Sequence, residues 1–235
     1  GISITQFQVT DGITTFASIL STIGSTEITL TVDSVQTISD DTIIPETLSI
    51  NVTGTGRLNV ANGKTLTING PFTAGLRTVF AGLGTVVFGD SSVSEVYPEW
   101  WGIDGTADNV EIQKALNSIE PNTTLYTYPY GSDDYSYQGR TVKLQATVYI
   151  TTGTIEVPGH TALVGCGKRS TVISSSYDGQ LIRTKLDAAV YDNCGITLSD
   201  FMLIGDRTKN NQIGIDLLRM CYSNISNVTI KKCGS

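Results

Sequence analysis

One histidine, His160, is the first limit on this chain of 235 residues. Ser-His-Asp or Cys-His catalysis would have to run through it. It sits in Val157-Pro-Gly-His-Thr161, a turn between strands, where a solvated structural histidine is the ordinary reading. The four cysteines, Cys166, Cys194, Cys221 and Cys233, contain no C-x-x-C pair. With a single histidine to join them they make no zinc site, and no metal is expected. They read as buried free thiols filling a core. Positive charge is scarce too: 15 Lys and Arg against 22 Asp and Glu leave a net charge of −7. That balance excludes a broad nucleic-acid surface. No apolar run is long enough to span a membrane, and no Gly-rich phosphate loop leads into a helix. Membrane insertion and cofactors are therefore not expected. Neither a signal peptide nor an initiator Met is present, so the chain reads as a processed product or an expressed fragment.

What is abundant is the vocabulary of strands and turns. Only 16% of residues are charged, 24 are Gly, and 40% are hydrophobic, enough to build a core. Alternating apolar positions mark short strands at Ile28–Val32, Thr42–Ile44, Leu48–Val52, Leu58 and Val60, Leu66 and Ile68, and Val86–Phe88. Gly54, Gly56, Asn62-Gly63 and Asn69-Gly70-Pro71 separate them as turns. After residue 140 strands resume at Val142–Leu144, Val148–Ile150, Ile155–Val157, Ala162–Val164, Val172-Ile173, Leu181-Ile182, Ile196–Ile204, Ile213–Leu217 and Ile225–Ile230. Two helices interrupt this. Phe16, Ile19, Leu20 and Ile23 form one short stripe ended by Gly24. Ile112, Ala115, Leu116 and Ile119 form the clearer one, a helix over 109–119. Asp108 is its expected N-cap, with Glu111 reaching back as a capping box.

Regular spacing of short strands fits a sandwich, a barrel or a solenoid. Two internal repeats favour the solenoid. Leu198-Ser-Asp-Phe-Met-Leu203 aligns with Ile225-Ser-Asn-Val-Thr-Ile230 at an offset of 27, which sets Asp200 opposite Asn227. More coarsely, helix 16–23, strand 28–32 and Pro45 are echoed by helix 109–119, strand 141–144 and Pro158.

Trp101-Gly-Ile-Asp-Gly-Thr-Ala-Asp-Asn-Val-Glu-Ile-Gln-Lys-Ala-Leu116 resembles the leading motif of pectate-lyase-like right-handed β-helix proteins, in which a Gly-Asp-Gly turn precedes an Ile-Gln-x-Ala-Ile helix. The turn is shorter here, and Asn109 stands where a second Asp is common. Val157-Pro-Gly159 and Leu163-Val-Gly-Cys-Gly167 continue the pattern. The region from Ile44 to Trp100 is similar to the segment that precedes the β-helix in phage and bacterial members. The fold class expected is all-β with short capping helices, a right-handed parallel β-helix. A β-rich N-terminal unit over 1–95 carries a helix near 15–23, and the cap and first coils occupy 96–235. The resemblance implies the N-terminal part of a phage tailspike or tail-fibre type protein. Such a protein recognises bacterial surface polysaccharide, forms a homotrimer, meets other virion tail proteins, and is extracellular or virion-borne. A secreted bacterial polysaccharide lyase or glycoside hydrolase is the alternative, and a non-catalytic structural adaptor the third reading.

Catalysis would have to come from paired carboxylates. Asp200, Asp206 and Asp216 are the candidates on strands, with Asp178, Asp187 and Asp192 in loops. Their other reading is a solvated face or turn capping. The paired-Asp, Gly-His-Gly and Arg-x-Pro-x-x-Arg patterns of the enzymes in this family are absent. Any depolymerase centre, endo-glycosidase or lyase, is expected beyond Ser235. Tyr126, Tyr128, Tyr130, Tyr135 and Tyr137 are candidates for glycan binding or subunit contact, because a tyrosine offers a flat apolar face and a hydroxyl. Trp100 and Trp101 read as anchors of the capping lid.

Overall fold

The computed structural model describes residues 1–4, 15–119, 140–185, 195–218 and 222–233. The chain is mostly β. Its all-parallel sheets stack as a solenoid of about 8 turns, with two short α-helices among the described residues, consistent with the right-handed β-helix expected. It divides into two units, Gly1–Ser94 with Glu99–Ile103 and Glu95–Pro98 with Asp104–Ser235.

In the first unit helix α1 (Phe16–Ile23) precedes the coils. Thr15 Oγ1 accepts the Ser18 N–H at its start, and Gly24, at φ 60°, closes it. Strands β1 (Ile2–Ser3), β2 (Ile28–Val32), β5 (Leu48–Val52) and β8 (Phe72–Ala74) form sheet A. Sheet B joins β3 (Val35–Ile38), β6 (Arg57–Val60) and β9 (Phe80–Gly82). Sheet C joins β4 (Thr42–Ile44), β7 (Thr65–Ile68) and β10 (Thr85–Phe88). Each coil contributes one strand to each sheet, and the register from one coil to the next pairs residues 20 to 24 apart. The period-2 alternation explains the burial. Leu30, Val32, Leu58, Val60, Leu66 and Ile68 point inward and are fully buried. Phe72, Phe80, Phe88 and Trp100 fill the interior. Phe72 lies 5.5 Å from Phe80 (stacked) and 5.2 Å from Trp100 (edge-on). The tryptophans therefore belong to this unit, not to the lid of the later helix.

The second unit repeats the plan. Helix α2 (Asn109–Ser118) precedes coils whose strands make three sheets. Sheet D runs through β11 (Glu95–Val96), β12 (Arg140–Lys143), β15 (Thr161–Val164), β18 (Thr197–Ser199) and β21 (Asn224–Ser226). Sheet E has β13 (Val148–Thr151), β16 (Val172–Ser175), β19 (Met202–Ile204) and β22 (Thr229–Lys231). Sheet F has β14 (Ile155–Val157), β17 (Gln180–Thr184) and β20 (Ile213–Asp216). The coarse duplication is thus a repeated order: a helix, one strand for each of three sheets, then proline. The offset of 27 is the coil register itself, pairing Leu198 with Ile225 and Leu203 with Ile230.

Helix α2 caps edge strands. The first strand of a stack presents unpaired N–H and C=O groups. Gln113 answers them like a strand: its Nε2 donates to the Glu156 carbonyl (3.0 Å) and its Oε1 accepts the Glu156 N–H (2.8 Å). Asn109 Oδ1 accepts from Thr152 N (3.0 Å). Asp108, fully buried, accepts from Asp104 N and Gly105 N on one oxygen and from Ile150 N (2.7 Å) on the other. This corrects the expected capping box. Asp108 makes no side-chain cap to its own helix, because its carboxylate is spent on the Asp104 turn and on β13. Glu111 is partly buried instead, and burial holds its carboxyl above the usual range.

Two further expectations are corrected. Ile196–Ile204 is two strands, broken by Asp200 at φ 63°, a left-handed corner matched by Asn227 at φ 52°. Cys166 is an exposed free thiol rather than a core residue, because it follows Gly165 into a corner turn between sheets. Cys233 is half-buried, and Cys194 and Cys221 lie outside the described residues.

Candidate functional site

The register of sheet E places Thr151, Ser175, Gly205 and Lys232 one above another at the carboxyl ends of its four strands. An open groove of about 490 Å³ runs along that edge. Ser174, Ser175 and Ser176 line it from the end of β16, Gly205, Asp206 and Arg207 from the end of β19, and Lys232 from the end of β22. Ile150 of β13 completes the lining.

Gln212 holds two walls in place. It is 4% exposed, and every polar atom of its amide is used. Oε1 accepts from Asp206 N (2.6 Å), and Nε2 donates to Tyr177 O (2.7 Å) and Ser175 O (3.3 Å). Gly205 makes room for it: a Cβ there would lie 2.1 Å from Gln212 Oε1 and 2.8 Å from Cys233 Sγ. Ser175 Oγ donates to Thr151 O (3.2 Å), which leaves the hydroxyls of Ser174 and Ser176 as the serine groups for a ligand.

Asp200, Asp206 and Asp216 occupy one coil but separate places on it. Asp200 stands at the corner between sheets D and E, where Asn227 Nδ2 of the next coil donates to it at 2.6 Å. That bond, with help from Ser199, holds its carboxyl below the usual range. Asp206 lies in the groove. Thr208 N (2.9 Å) and Oγ1 (2.8 Å) both donate to its Oδ1 and likewise hold it low. Asp216 ends β20 in sheet F and accepts from Gln180 Nε2 at 3.1 Å. Beside it in the same outward column, Arg183 pairs with Glu156 of the coil before. Asp178 caps a turn by accepting Asn211 N (2.9 Å). His160 takes φ 56° at a corner where Gly195 and Tyr222 take φ 67° and 49° in the following coils, a structural column. Asp187, Asp192 and all of Tyr126, Tyr128, Tyr130, Tyr135 and Tyr137 lie outside the described residues.

Among the described candidate site residues named from sequence, only Asp206 lines the groove. Ser174, Ser176, Arg207, Gln212 and Lys232 were not singled out from sequence, because coil stacking alone unites them. One signal was within reach. Continuing the 27-residue offset two positions past Ile230 sets Lys232 beside Gly205, next to Asp206. No family model, curated protein or solved structure matches this chain.

Proposed function

We propose that this protein recognises a bacterial surface polysaccharide through the groove beside sheet E, as the N-terminal part of a tailspike-type β-helix protein of the pectate-lyase-like kind. The observation that carries the reading is the groove itself. It is an axial trough with hydroxyl, carboxylate and cationic groups on its walls and an aliphatic side chain, Ile150, in its lining. Saccharides need both parts: hydrogen-bonding groups for their hydroxyls and an apolar surface for their C–H faces. A solenoid supports the reading because its grooves repeat along the axis at the strand spacing, as a polymer's units do. Recognition is favoured over hydrolysis on this coil. Carboxyl groups held below their usual range, as in Asp200 and Asp206, stay ionised near neutral pH and do not serve as general acids. The setting proposed with it is an extracellular, virion-borne homotrimer among other tail proteins. Incubating the chain with a panel of capsular and O-antigen polysaccharides tests the activity, and binding without cleavage is expected. Released reducing ends would mean a hydrolase, and unsaturated uronate absorbance a lyase. No binding at all would leave a structural adaptor. Light scattering at micromolar concentration tests the assembly, and a stable monomer refutes the trimer.

A further inference from the structure

Resting on that reading, we infer that the groove selects a saccharide that carries negative charge: an oligosaccharide segment bearing a carboxylate, sulfate or phosphate. The chain as a whole is acidic, at −7, yet this edge is not. Arg207 and Lys232 line the groove and are exposed, and Lys231 ends the outward column of sheet E that begins with Ile150. Among the described lining residues the one carboxylate, Asp206, already accepts two bonds from Thr208. Lys232 holds φ 61°, a left-handed corner like those at Asp200 and Asn227, which fixes where its side chain leaves the backbone. A guanidinium and an ammonium on successive coils match an anionic group by a planar fork and a point charge respectively.

The neighbouring surface says what the rest of the ligand is. Outward positions on sheet E are Val148, Val172 and Met202 in one column and Ile150, Ser174 and Ile204 in the other. Columns on the other sheets are more polar: Thr141, Ala162, Thr197 and Asn224 on D, and Glu156, Arg183 and Asp216 on F. Three strands about 4.8 Å apart, each with two outward residues about 7 Å apart, give a largely apolar strip of roughly 70 Å², bounded on the fourth strand by Thr229 and Lys231. A stable protein interface needs about 800 Å² on each partner, so the strip is too small to be one. It has the size of a floor for a few sugar rings, with the cations and serines along one side.

Calorimetric titration of the full chain decides this with three probes: a polyuronate oligomer, a sulfated oligosaccharide and a neutral glucan oligomer. An acidic probe is expected to bind and the neutral one to bind at least about tenfold more weakly, with the difference shrinking at high salt. The double variant R207A/K232A is expected to lose about tenfold or more for the acidic probe, and R207K/K232R to recover most of it. Both residues are exposed, so the melting temperature should stay unchanged in each variant. Equal binding of neutral and acidic probes, or acidic binding that survives R207A/K232A, overturns the charge selection while leaving glycan recognition standing. If neither these probes nor the polysaccharide panel bind, the recognition reading itself fails.

Discussion

Asp108 shows how much a single side chain can decide in a solenoid. A buried carboxylate is costly unless its oxygens are matched, and here three backbone N–H groups match them. Asp108→Ala strands all three, and the second unit should lose about 3 kcal/mol or more, read as a lower urea midpoint. A midpoint unchanged from wild type would mean that the turn and β13 do not depend on this residue. Asp200 makes the complementary case between coils. Its carboxyl is held low by the Asn227 amide, so the contact stabilises the fold above the ordinary unfolded-state value of about 4. That contribution is lost as pH falls through the lower folded value. Asn227→Gly keeps the left-handed corner and removes the amide, and it should flatten the acid limb of the melting temperature against pH. An acid limb as steep as that of wild type would place the proton uptake elsewhere. The sequence pairs these two residues correctly through the 27-residue offset. It misreads Asp108, because Asp before a helix is the signature of an N-cap and nothing local reveals that β13, some 40 residues on, competes for the carboxylate.

Among the elements, the helices were the most legible. The stripe Ile112, Ala115, Leu116 and Ile119 is buried as its spacing requires, and the helix ends within one residue of the expected boundary. What the stripe does not say is that the polar side of α2, through Asn109 and Gln113, finishes the edges of β13 and β14. The strand pair around Asp200 was half legible. Ile196–Ile204 alternates well enough to read as one strand, but Leu198, Phe201 and Leu203 all point inward and are fully buried. Three inward residues at that spacing need a bend, and the left-handed Asp200 supplies it. Phe201 fills that corner. Phe201→Ala should cost about 3–5 kcal/mol through the cavity it leaves. Phe201→Asp should unfold the C-terminal coils altogether, since it buries an unpaired charge. Circular dichroism of Phe201→Asp with the wild-type melt would remove the residue from the core.

For the whole molecule, stacking coils at strand spacing dictates which backbone positions have no room for a side chain. Gly70 is one: a Cβ would stand 2.1 Å from the Leu48 carbonyl oxygen and 2.6 Å from that of Pro45. Both obstacles are backbone, so Gly70→Ala should destabilise the first unit by about 1–3 kcal/mol. Each coil bonds mainly to its neighbours, so hydrogen exchange should quicken around β4, β5 and β7 and leave the second unit protected. Uniform loss of protection through both units would contradict that one-dimensional behaviour. Alternation with period 2, turn residues between short strands and a repeated helix-to-proline order determined the β class, the helices and one coil register. All of these are local or depend on a single offset. In the first unit the same coils passed as unrelated short strands, since turns of unequal length blur a period of 20 to 24. The groove was decided by tertiary structure alone. Ile150, Ser174, Gly205 and Lys232 are tens of residues apart, in a chain where serine, glycine and lysine carry no pattern of their own. They meet because parallel strands in register bring the ends of successive coils to one edge, where the buried Gln212 holds the walls.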